Sequence, residues 1–356
     1  MSDSGIEQRR RAITSALLAA GIFGLSTPAA KLLLDVTDPW LLAGLVYLGS
    51  GLGLGCIRVV LTVLGRMPKE APIRRGDVPW LVGAIIAGGG VGPVLLMLGL
   101  SGGVASEAAL LLNLEGVLTA VFAWFVFREH FDTRIAVGMA LITAGAFAVA
   151  WQPGQGLPLD RHALFVAGAC LAWAVDNNLT RRVSGGDPAL IAALKGGAAG
   201  TVNLTIAIAA GAPFPGFSVA VGAAVVGFLG YGVSLVLFVR ALRELGAART
   251  GAYFSVAPFV GASVSVVAFG EPLSLGLIVG GVLMAIGVWL HVSERHAHEH
   301  VHEKLAHEHL HRHDQHHGHE HAAGTPAGEP HSHWHVHAGL RHSHPHYPDP
   351  HHRHGH

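Results

Sequence analysis

The sequence predicts an all-α integral membrane protein, with ten transmembrane helices in two inverted five-helix repeats and a disordered His-rich tail. Three observations lead to this prediction. Apolar segments of about 20 residues, the length that crosses a bilayer, recur along the chain. Charged residues make up 13% of the 356 residues, against about 25% in soluble domains. All but two of the 26 histidines, His130 and His162, lie at or beyond His291.

The predicted spans follow one another with short connections. Glycine is abundant, with 48 residues, which favours close approach of neighbouring helices. The first span follows Arg9–Arg11, as a signal peptide would, but its length and the spans directly after it favour an uncleaved helix. The ten spans cover approximately residues 13–34, 40–62, 79–100, 105–127, 134–151, 162–180, 188–210, 217–239, 247–269 and 274–292.

Basic residues predict the orientation, because cytoplasmic loops of membrane proteins are enriched in Lys and Arg. With the N-terminus in the cytoplasm, the connections assigned to the inside hold clusters such as Arg74–Arg75 and Arg181–Arg182. The connections assigned to the outside hold a single basic residue, Arg161. We therefore expect a multi-pass protein of the cell inner (plasma) membrane whose N-terminus and His-rich tail are both cytoplasmic.

The two halves of the chain are related by an internal repeat. A shift of 142 residues overlays FREHF (127–131) on FGEPL (269–273), and a shift of 150 overlays 23–31 on 173–181. An odd number of spans per repeat places the halves in opposite orientations, as in secondary transporters that work by alternating access. A duplicated scaffold without transport is the alternative. The predicted units are 1–11, a cytoplasmic N-terminus; 12–151, the first repeat; 152–161, an external linker; 162–292, the second repeat; and 293–356, the tail.

The doubled five-helix unit resembles the EamA-like branch of the drug/metabolite transporter superfamily over roughly residues 12–292. The resemblance rests on the Glu just past the fourth and ninth spans, in FREHF and FGEPL, and on Pro258 thirteen residues before Glu271. It implies ten helices around a central cavity and the transport of small metabolites. In the first half, Gly116 occupies the position of Pro258 and Glu115 that of Ala257, so an acidic residue breaks the repeat symmetry.

Polar residues inside predicted spans are candidate substrate-binding residues, because such residues are costly in a bilayer and usually face a cavity or a partner. Glu115 lies near the middle of its span and is expected to couple protons or to bind a cationic substrate; pairing with a polar group of a neighbouring helix is the alternative. Glu107, closer to the helix start, could instead stabilise that terminus. The candidates are Glu115, Asp176, Asn113, Glu107, Asn177, Lys195 and Asn203.

The charged residues of the sixth and seventh spans leave several pairings open. Asp176 lies near Arg181 and Arg182 along the chain, which favours a structural ion pair as strongly as a cavity position. Lys195 could extend to the interface or could neutralise Glu115 or Asp176. Glu129 and Glu271, at equivalent span ends, are expected to cap the helix that follows each of them.

The tail is expected to bind divalent metal at several exchangeable sites, because imidazole suits Zn²⁺, Ni²⁺, Co²⁺ and Cu²⁺. It is predicted to be disordered, since it has almost no apolar residues with which to form a core. The expected metal ligands are His298, His302, His307, His309, His311, His313, His316, His317, His319 and His321.

Together these features predict a secondary transporter of a small metabolite or drug, proton-coupled through an intramembrane carboxylate, that requires no cofactor. The chain shows no ATP-binding motif and no nucleophile–base arrangement, which argues against an ATPase or an enzyme. A divalent metal exporter of Ni, Co or Zn with a metal-gathering tail is the alternative; a membrane-anchored metal buffer or sensor is a weaker one. The expected partners are the solute, lipid and divalent metal at the tail. Zero net charge gives no reason to expect nucleic acid, and a homodimer is left open.

Overall fold

The computed structural model describes residues 3–67, 72–127, 133–151, 160–183, 186–245, 250, 253–292, 296–301, 305–311, 331–337 and 341–346. The helices are α1 (Asp3–Leu34), α2 (Pro39–Val63), a 3₁₀ turn (Arg75–Asp77), α3 (Val78–Ala84), a first π-helix (Ile85–Val91), α4 (Gly92–Gly102), α5 (Ala105–Leu111), α6 (Leu114–Phe127), α7 (Thr133–Ala150), α8 (Arg161–Val183), α9 (Pro188–Ala209), α10 (Phe217–Gly227), a second π-helix (Phe228–Val233), α11 (Ser234–Leu245), α12 (Ala257–Phe269) and α13 (Leu275–Val292).

The helical prediction is confirmed for the part of the chain before the tail. Among the described residues, seven helices are long and apolar enough to cross a membrane, and three further apolar helices are shorter. Large apolar side chains lie on the outside, where Val267 and Phe217 are each 85% exposed. Alanine and glycine occupy much of the interior. This arrangement, large apolar groups outward and small ones inward, suits a protein surrounded by hydrocarbon.

Two of the long helices each begin at an Asp–Pro sequence, Asp38–Pro39 for α2 and Asp187–Pro188 for α9. The Asp38 carboxylate accepts hydrogen bonds from the backbone N–H groups of Trp40, at 2.9 Å, and Leu41, at 3.0 Å. Asp187 caps α9 in the same way, through Ala189 at 2.9 Å and Leu190 at 3.1 Å. Each Asp satisfies backbone donors that the first helical turn leaves unpaired, and the following Pro lacks an N–H that would need a partner.

Glycines allow two pairs of antiparallel helices to pack backbone against backbone. A Cβ added to Gly287 of α13 would lie 2.6 Å from the Gly138 carbonyl oxygen of α7, and one added to Gly280 would lie 2.7 Å from that of Gly145. Between α2 and α9, a Cβ at Gly196 would lie 2.6 Å from the backbone nitrogen of Gly51. These approaches leave no space for a larger residue.

Four interruptions break the regular α-helical geometry within spans. The two π-helices, Ile85–Val91 and Phe228–Val233, widen the third and eighth predicted spans. A turn at residues 112–113 separates α5 from α6, and a second turn at 255–256 precedes α12. Such interruptions in transporters mark positions where backbone groups line a cavity or are held by other side chains.

The described residues of the tail form short strands, and the predicted disorder of the tail as a whole stays a prediction. The strands are β1 (His296–Val301), β2 (Leu305–His311), β3 (His331–His337) and β4 (Arg341–His346), and they pair antiparallel as β1 with β4 and β2 with β3. Histidine lies opposite histidine in this register, for example His298 with His344 and His309 with His333. Alternation of histidine with other residues matches the two-residue period of a strand. The predicted ligands His302, His313, His316, His317, His319 and His321 lie outside the described residues.

We predict that Gly200→Ala destabilises the protein and that Gly197→Ala does not. A Cβ at Gly200 would overlap the backbone of Leu48, whereas one at Gly197 would meet nothing within 4 Å. Overpacking costs about 1–3 kcal/mol, so the melting temperature of purified protein in detergent should fall for Gly200→Ala alone. Equal melting temperatures for the two variants would contradict the backbone-to-backbone packing of α2 and α9.

Candidate functional site

A buried ion pair joins α8 to α9. The Lys195 ammonium donates to both carboxylate oxygens of Asp176, at 2.5 and 2.7 Å, and to the Thr180 hydroxyl at 3.2 Å. Asp176 and Lys195 are 6% and 8% exposed. Of the two partners left open for Lys195, the structure selects Asp176. The described ion pair of Asp176 is with Lys195 and not with Arg182, whose guanidinium lies over the Trp80 ring; the Arg181 side chain lies outside the described part.

The ion pair lies against the first π-helix, at a position that only glycine can occupy. A Cβ on Gly88 would overlap the Asp176 carboxylate. The carbonyl groups of the π-helix do not follow the regular α-helical hydrogen-bonding pattern, so they need other partners. Tyr47 and Trp173 supply them for Gly88, donating to its carbonyl oxygen at 2.8 and 2.9 Å. Asn203 does the same for Gly89 at 3.0 Å and for Gly90 at 3.3 Å.

Glu115 lies in the first turn of α6, directly after the interruption at 112–113. Its carboxylate accepts a hydrogen bond of 2.8 Å from the Asn177 side-chain amide. Glu115 is half-buried, and Gly116 beside it is exposed, with open space where a Cβ would be. Within the described residues no Lys, Arg or His forms an ion pair with Glu115. The positive end of the α6 dipole favours a negative charge at this position.

A series of aromatic rings leads away from the ion pair. Tyr47, whose hydroxyl donates to the Gly88 carbonyl oxygen, contacts Tyr231. Their ring centroids are 5.4 Å apart, and Tyr231 contacts Phe23 at 5.7 Å. Phe23 contacts Phe254 at 5.4 Å, next to the interruption at 255–256. Tyr231, Phe23 and Phe254 are half-buried, so each of them keeps some uncovered surface.

The three adjacent polar residues of α8 have three different partners, as their spacing on a helix predicts. Asp176 binds Lys195, and Asn177 binds Glu115. The Asn178 amide donates to the carbonyl oxygens of Ala174, at 2.8 Å, and Thr119, at 3.2 Å. Asn177 is therefore brought to Glu115, while Asp176 and Lys195 are joined to each other nearby.

Asn113 and Glu107 lie away from this cluster. The Asn113 amide donates to the Leu110 carbonyl oxygen at 3.1 Å, which satisfies the end of α5. Glu107 lies near the start of α5 and lines a small pocket with Asp160 and His162. Within the described part of the chain, the Asn203 amide donates to the π-helix backbone. For these three residues, substrate contact stays a prediction.

Two charged side chains form hydrogen bonds with backbone groups at the ends of helices that are distant in sequence. Glu271 accepts hydrogen bonds from the backbone N–H groups of Ala105 and Ser106, both at 2.9 Å. It therefore caps α5 in the first half, and the expectation that it caps the following helix, α13, was wrong. Lys31 donates to the carbonyl oxygens of Leu100, at 2.7 Å, and Gly103, at 2.9 Å. Glu129 lies outside the described residues.

Sequence reasoning missed the groups that hold the first π-helix. Tyr47 and Trp173 are ordinary aromatic residues of apolar spans, and nothing in the sequence marks their hydrogen bonds. The run Gly88–Gly89–Gly90 was the available signal, because three consecutive glycines are unfavourable in a regular helix. Among the described residues, no group of three or more His, Cys, Asp or Glu side chains could hold a metal ion.

We predict that Lys195→Met destabilises the protein strongly and that the double variant Asp176→Asn, Lys195→Met is more stable than Lys195→Met alone. The single change leaves a buried carboxylate without its counter-charge, which costs about 3–5 kcal/mol. Thermal unfolding of the two single variants and the double variant in detergent would measure the coupling. Additive losses would show that the two charges do not depend on each other.

The model of the EamA-like transporter family matches this chain twice, over residues 10–151 and 161–293. An uncharacterized transporter of Methanothermobacter thermautotrophicus is 27% identical over 292 residues, 78% of this chain and 84% of that protein. The uncharacterized transporter YyaM of Bacillus subtilis is 23% identical over 242 residues, 65% of this chain and 78% of that protein. A protein of known crystal structure shares the fold, with a TM-score of 0.57 and 20% identity over 78% of this chain and 96% of its own. The chain therefore belongs to the EamA-like transporter family and is a multi-pass membrane protein of the drug/metabolite transporter kind.

Proposed function

We propose that the protein is a secondary transporter that moves a small metabolite or drug across the inner membrane, with Glu115 at its central site. Two inverted five-helix halves would move against each other and expose that site to each side in turn. The observation that carries the proposal is the interruption of the fourth and ninth predicted spans at matching positions. Glu115 lies directly after the first of these interruptions.

Matched interruptions support the inverted repeat. A shift of 142 residues carries the turn at 112–113 to within one residue of the turn at 255–256. The same shift carries Gly88 and Gly90 of the first π-helix onto Gly230 and Gly232 of the second. Interrupted helices at corresponding positions of two halves point to the binding site in this class of transporter.

The glycine contacts between α7 and α13 support a two-fold relation between the halves. A shift of 142 residues carries Gly138 onto Gly280 and Gly145 onto Gly287. If each residue is replaced by its counterpart in the other half, the contact between Gly138 and Gly287 becomes the contact between Gly280 and Gly145. Both contacts are present. Two antiparallel helices exchange contacts in this way when a two-fold axis relates them. Such an axis in the membrane plane is what alternating access between equivalent halves requires.

Glu115 suits a coupling role because no described cationic side chain forms an ion pair with it. Its hydrogen-bond partners among the described side chains are neutral, whereas Asp176 is neutralised by Lys195. A carboxylate of this kind can take a proton or a cationic group when the site is open to one side and release it on the other. We accordingly propose proton coupling through Glu115 and a cytoplasmic location for both the N-terminus and the tail.

The tail is proposed to bind divalent metal as an appendage of the transporter. Residues 307–321 are rich in histidine, and neutral imidazole is a good ligand for Zn²⁺, Ni²⁺ and Cu²⁺. In the described helices no cluster of metal-ligating side chains lies along a route through the bundle. This favours an organic solute over a metal as the cargo and assigns the tail a separate binding role.

We predict that Glu115→Gln abolishes proton-driven solute flux and leaves the fold intact. The amide keeps the shape and can still bond to Asn177, but it cannot carry or exchange a charge. Purified wild-type and variant proteins would be reconstituted in vesicles and assayed with a panel of neutral, anionic and cationic metabolites under an imposed pH gradient. Asp35→Asn, an exposed carboxylate beyond α1, is the matched control. Undiminished pH-driven flux in Glu115→Gln would exclude coupling through this residue.

We predict that removal of residues 293–356 eliminates most metal binding by the purified protein and leaves solute flux within about twofold, because the central site lies wholly in the helices. Equilibrium dialysis against Ni²⁺ or Zn²⁺ would measure binding, and vesicle assays would measure flux. Metal accumulation and tolerance would be compared in cells with full-length, truncated and Glu115→Gln protein and in the empty host. Metal content that depends on both the tail and Glu115 would instead support metal export.

A further inference from the structure

The charge available to a ligand at the central site is negative. Lys195 is the cation nearest this cluster that the described contacts reveal, and its three N–H donors are all used. Two go to the Asp176 carboxylate and one to the Thr180 hydroxyl. An ammonium group has three donors and no acceptor, so Lys195 has none left for an anionic ligand. Asp176 and Lys195 together contribute no net charge.

Glu115 is the group with free binding capacity. A carboxylate can accept about four hydrogen bonds, and the described structure gives Glu115 a single donor within 3.0 Å, the Asn177 amide. The space beside Gly116 is open. A ligand that reaches Glu115 therefore meets an acceptor with unused lone pairs. A positively charged N–H group satisfies such an acceptor best, because charge-assisted hydrogen bonds are roughly twice as strong as neutral ones.

The rings beside Glu115 favour the same charge. The face of an aromatic ring attracts a cation within about 6 Å and repels an anion. Tyr47 joins the rings to the site, because its hydroxyl donates to the Gly88 carbonyl oxygen beside Asp176 and its ring centroid is 5.4 Å from that of Tyr231. Tyr231 continues through Phe23 to Phe254 at centroid distances of 5.7 and 5.4 Å. The charged end of a ligand would lie between Glu115 and the tyrosine rings, and its apolar body would lie along Phe23 and Phe254.

We infer that the central site takes an organic cation, an amine that carries an apolar or aromatic body, with Glu115 as its counter-ion and Tyr231 and Phe23 as its aromatic wall. This inference rests on the proposed transport function and adds the class of substrate to it. Tyr231→Phe keeps the ring face, whereas Tyr231→Leu removes it while it preserves apolar character. The pair therefore separates a cation–π contact from general packing.

Three aromatic probes of the same size test the charge of the site. Phenethylamine is cationic at pH 7, 2-phenylethanol is neutral and phenylacetate is anionic. Binding to the full-length protein in detergent would be measured by calorimetry. We expect the amine to bind at least about tenfold more tightly than the other two, which is the size of one charge-assisted contact. Glu115→Gln should remove this preference, and Tyr231→Leu should weaken amine binding several-fold. Tyr231→Phe, which keeps the ring, should retain more amine binding than Tyr231→Leu. Asp35→Asn, which lies outside the site, should bind as the wild type does.

The inference is overturned if the wild-type protein binds the three probes equally or does not bind the amine. It is also overturned if Glu115→Gln retains the preference for the amine. Flux measurements separate this failure from failure of the transport proposal. Vesicles that move a neutral or anionic solute in a Glu115-dependent manner, without moving amines, would refute the cation assignment alone. Vesicles that move no member of the full metabolite panel would refute the transport function itself.

Discussion

The ion pair between Asp176 and Lys195 is the interaction on which the rest of the site depends. Two charges inside a membrane protein are tolerated when each neutralises the other and their remaining hydrogen-bonding groups are satisfied. Here the pair requires Gly88 beneath it, and Gly88 lies in a π-helix whose carbonyl groups need Tyr47, Trp173 and Asn203. One ion pair thereby fixes the relative positions of α2, α8, α9 and the first π-helix.

The same interaction makes a symmetric scaffold chemically asymmetric. The shifts that relate the halves carry Gly88 onto Gly230 and Asp176 onto Ser26, and a Cβ on Gly230 would lie 2.7 Å from Ser26. The backbone contact is thus repeated, but the charge is not. Glu115 likewise corresponds to Ala257. Charged residues and rings therefore come from both halves: Glu115 and Phe23 lie in the first, and Asp176, Lys195 and Tyr231 lie in the second.

The sequence predicted the apolar helical segments because hydrophobic length is a local property. It could not predict the partner of Lys195, because sequence spacing allowed its side chain to reach Glu115, Asp176 or the membrane–water interface equally well. The interruption before Glu115 was also hidden, because the apolar pattern of SEAALLLNLEGVL continues through it. Glu271 was assigned to the wrong helix for a related reason: its carboxylate caps a helix of the other half. Each of these features depends on contacts between residues distant in sequence.

Position in the span did not by itself distinguish the carboxylate proposed to bind substrate or protons from the one held in an ion pair. Asp176 and Glu115 are both intramembrane acids, and Asp176 has the larger set of hydrogen-bonded neighbours. That set is the reason it is unsuited to exchange a ligand, because each contact would have to break when a substrate or proton arrived. Glu115 has a neutral amide donor, uncovered surface and a helix N-terminus that tolerates its charge. Under the proposed mechanism, the residue with fewer partners is the one whose charge would be neutralised and restored as the two halves move.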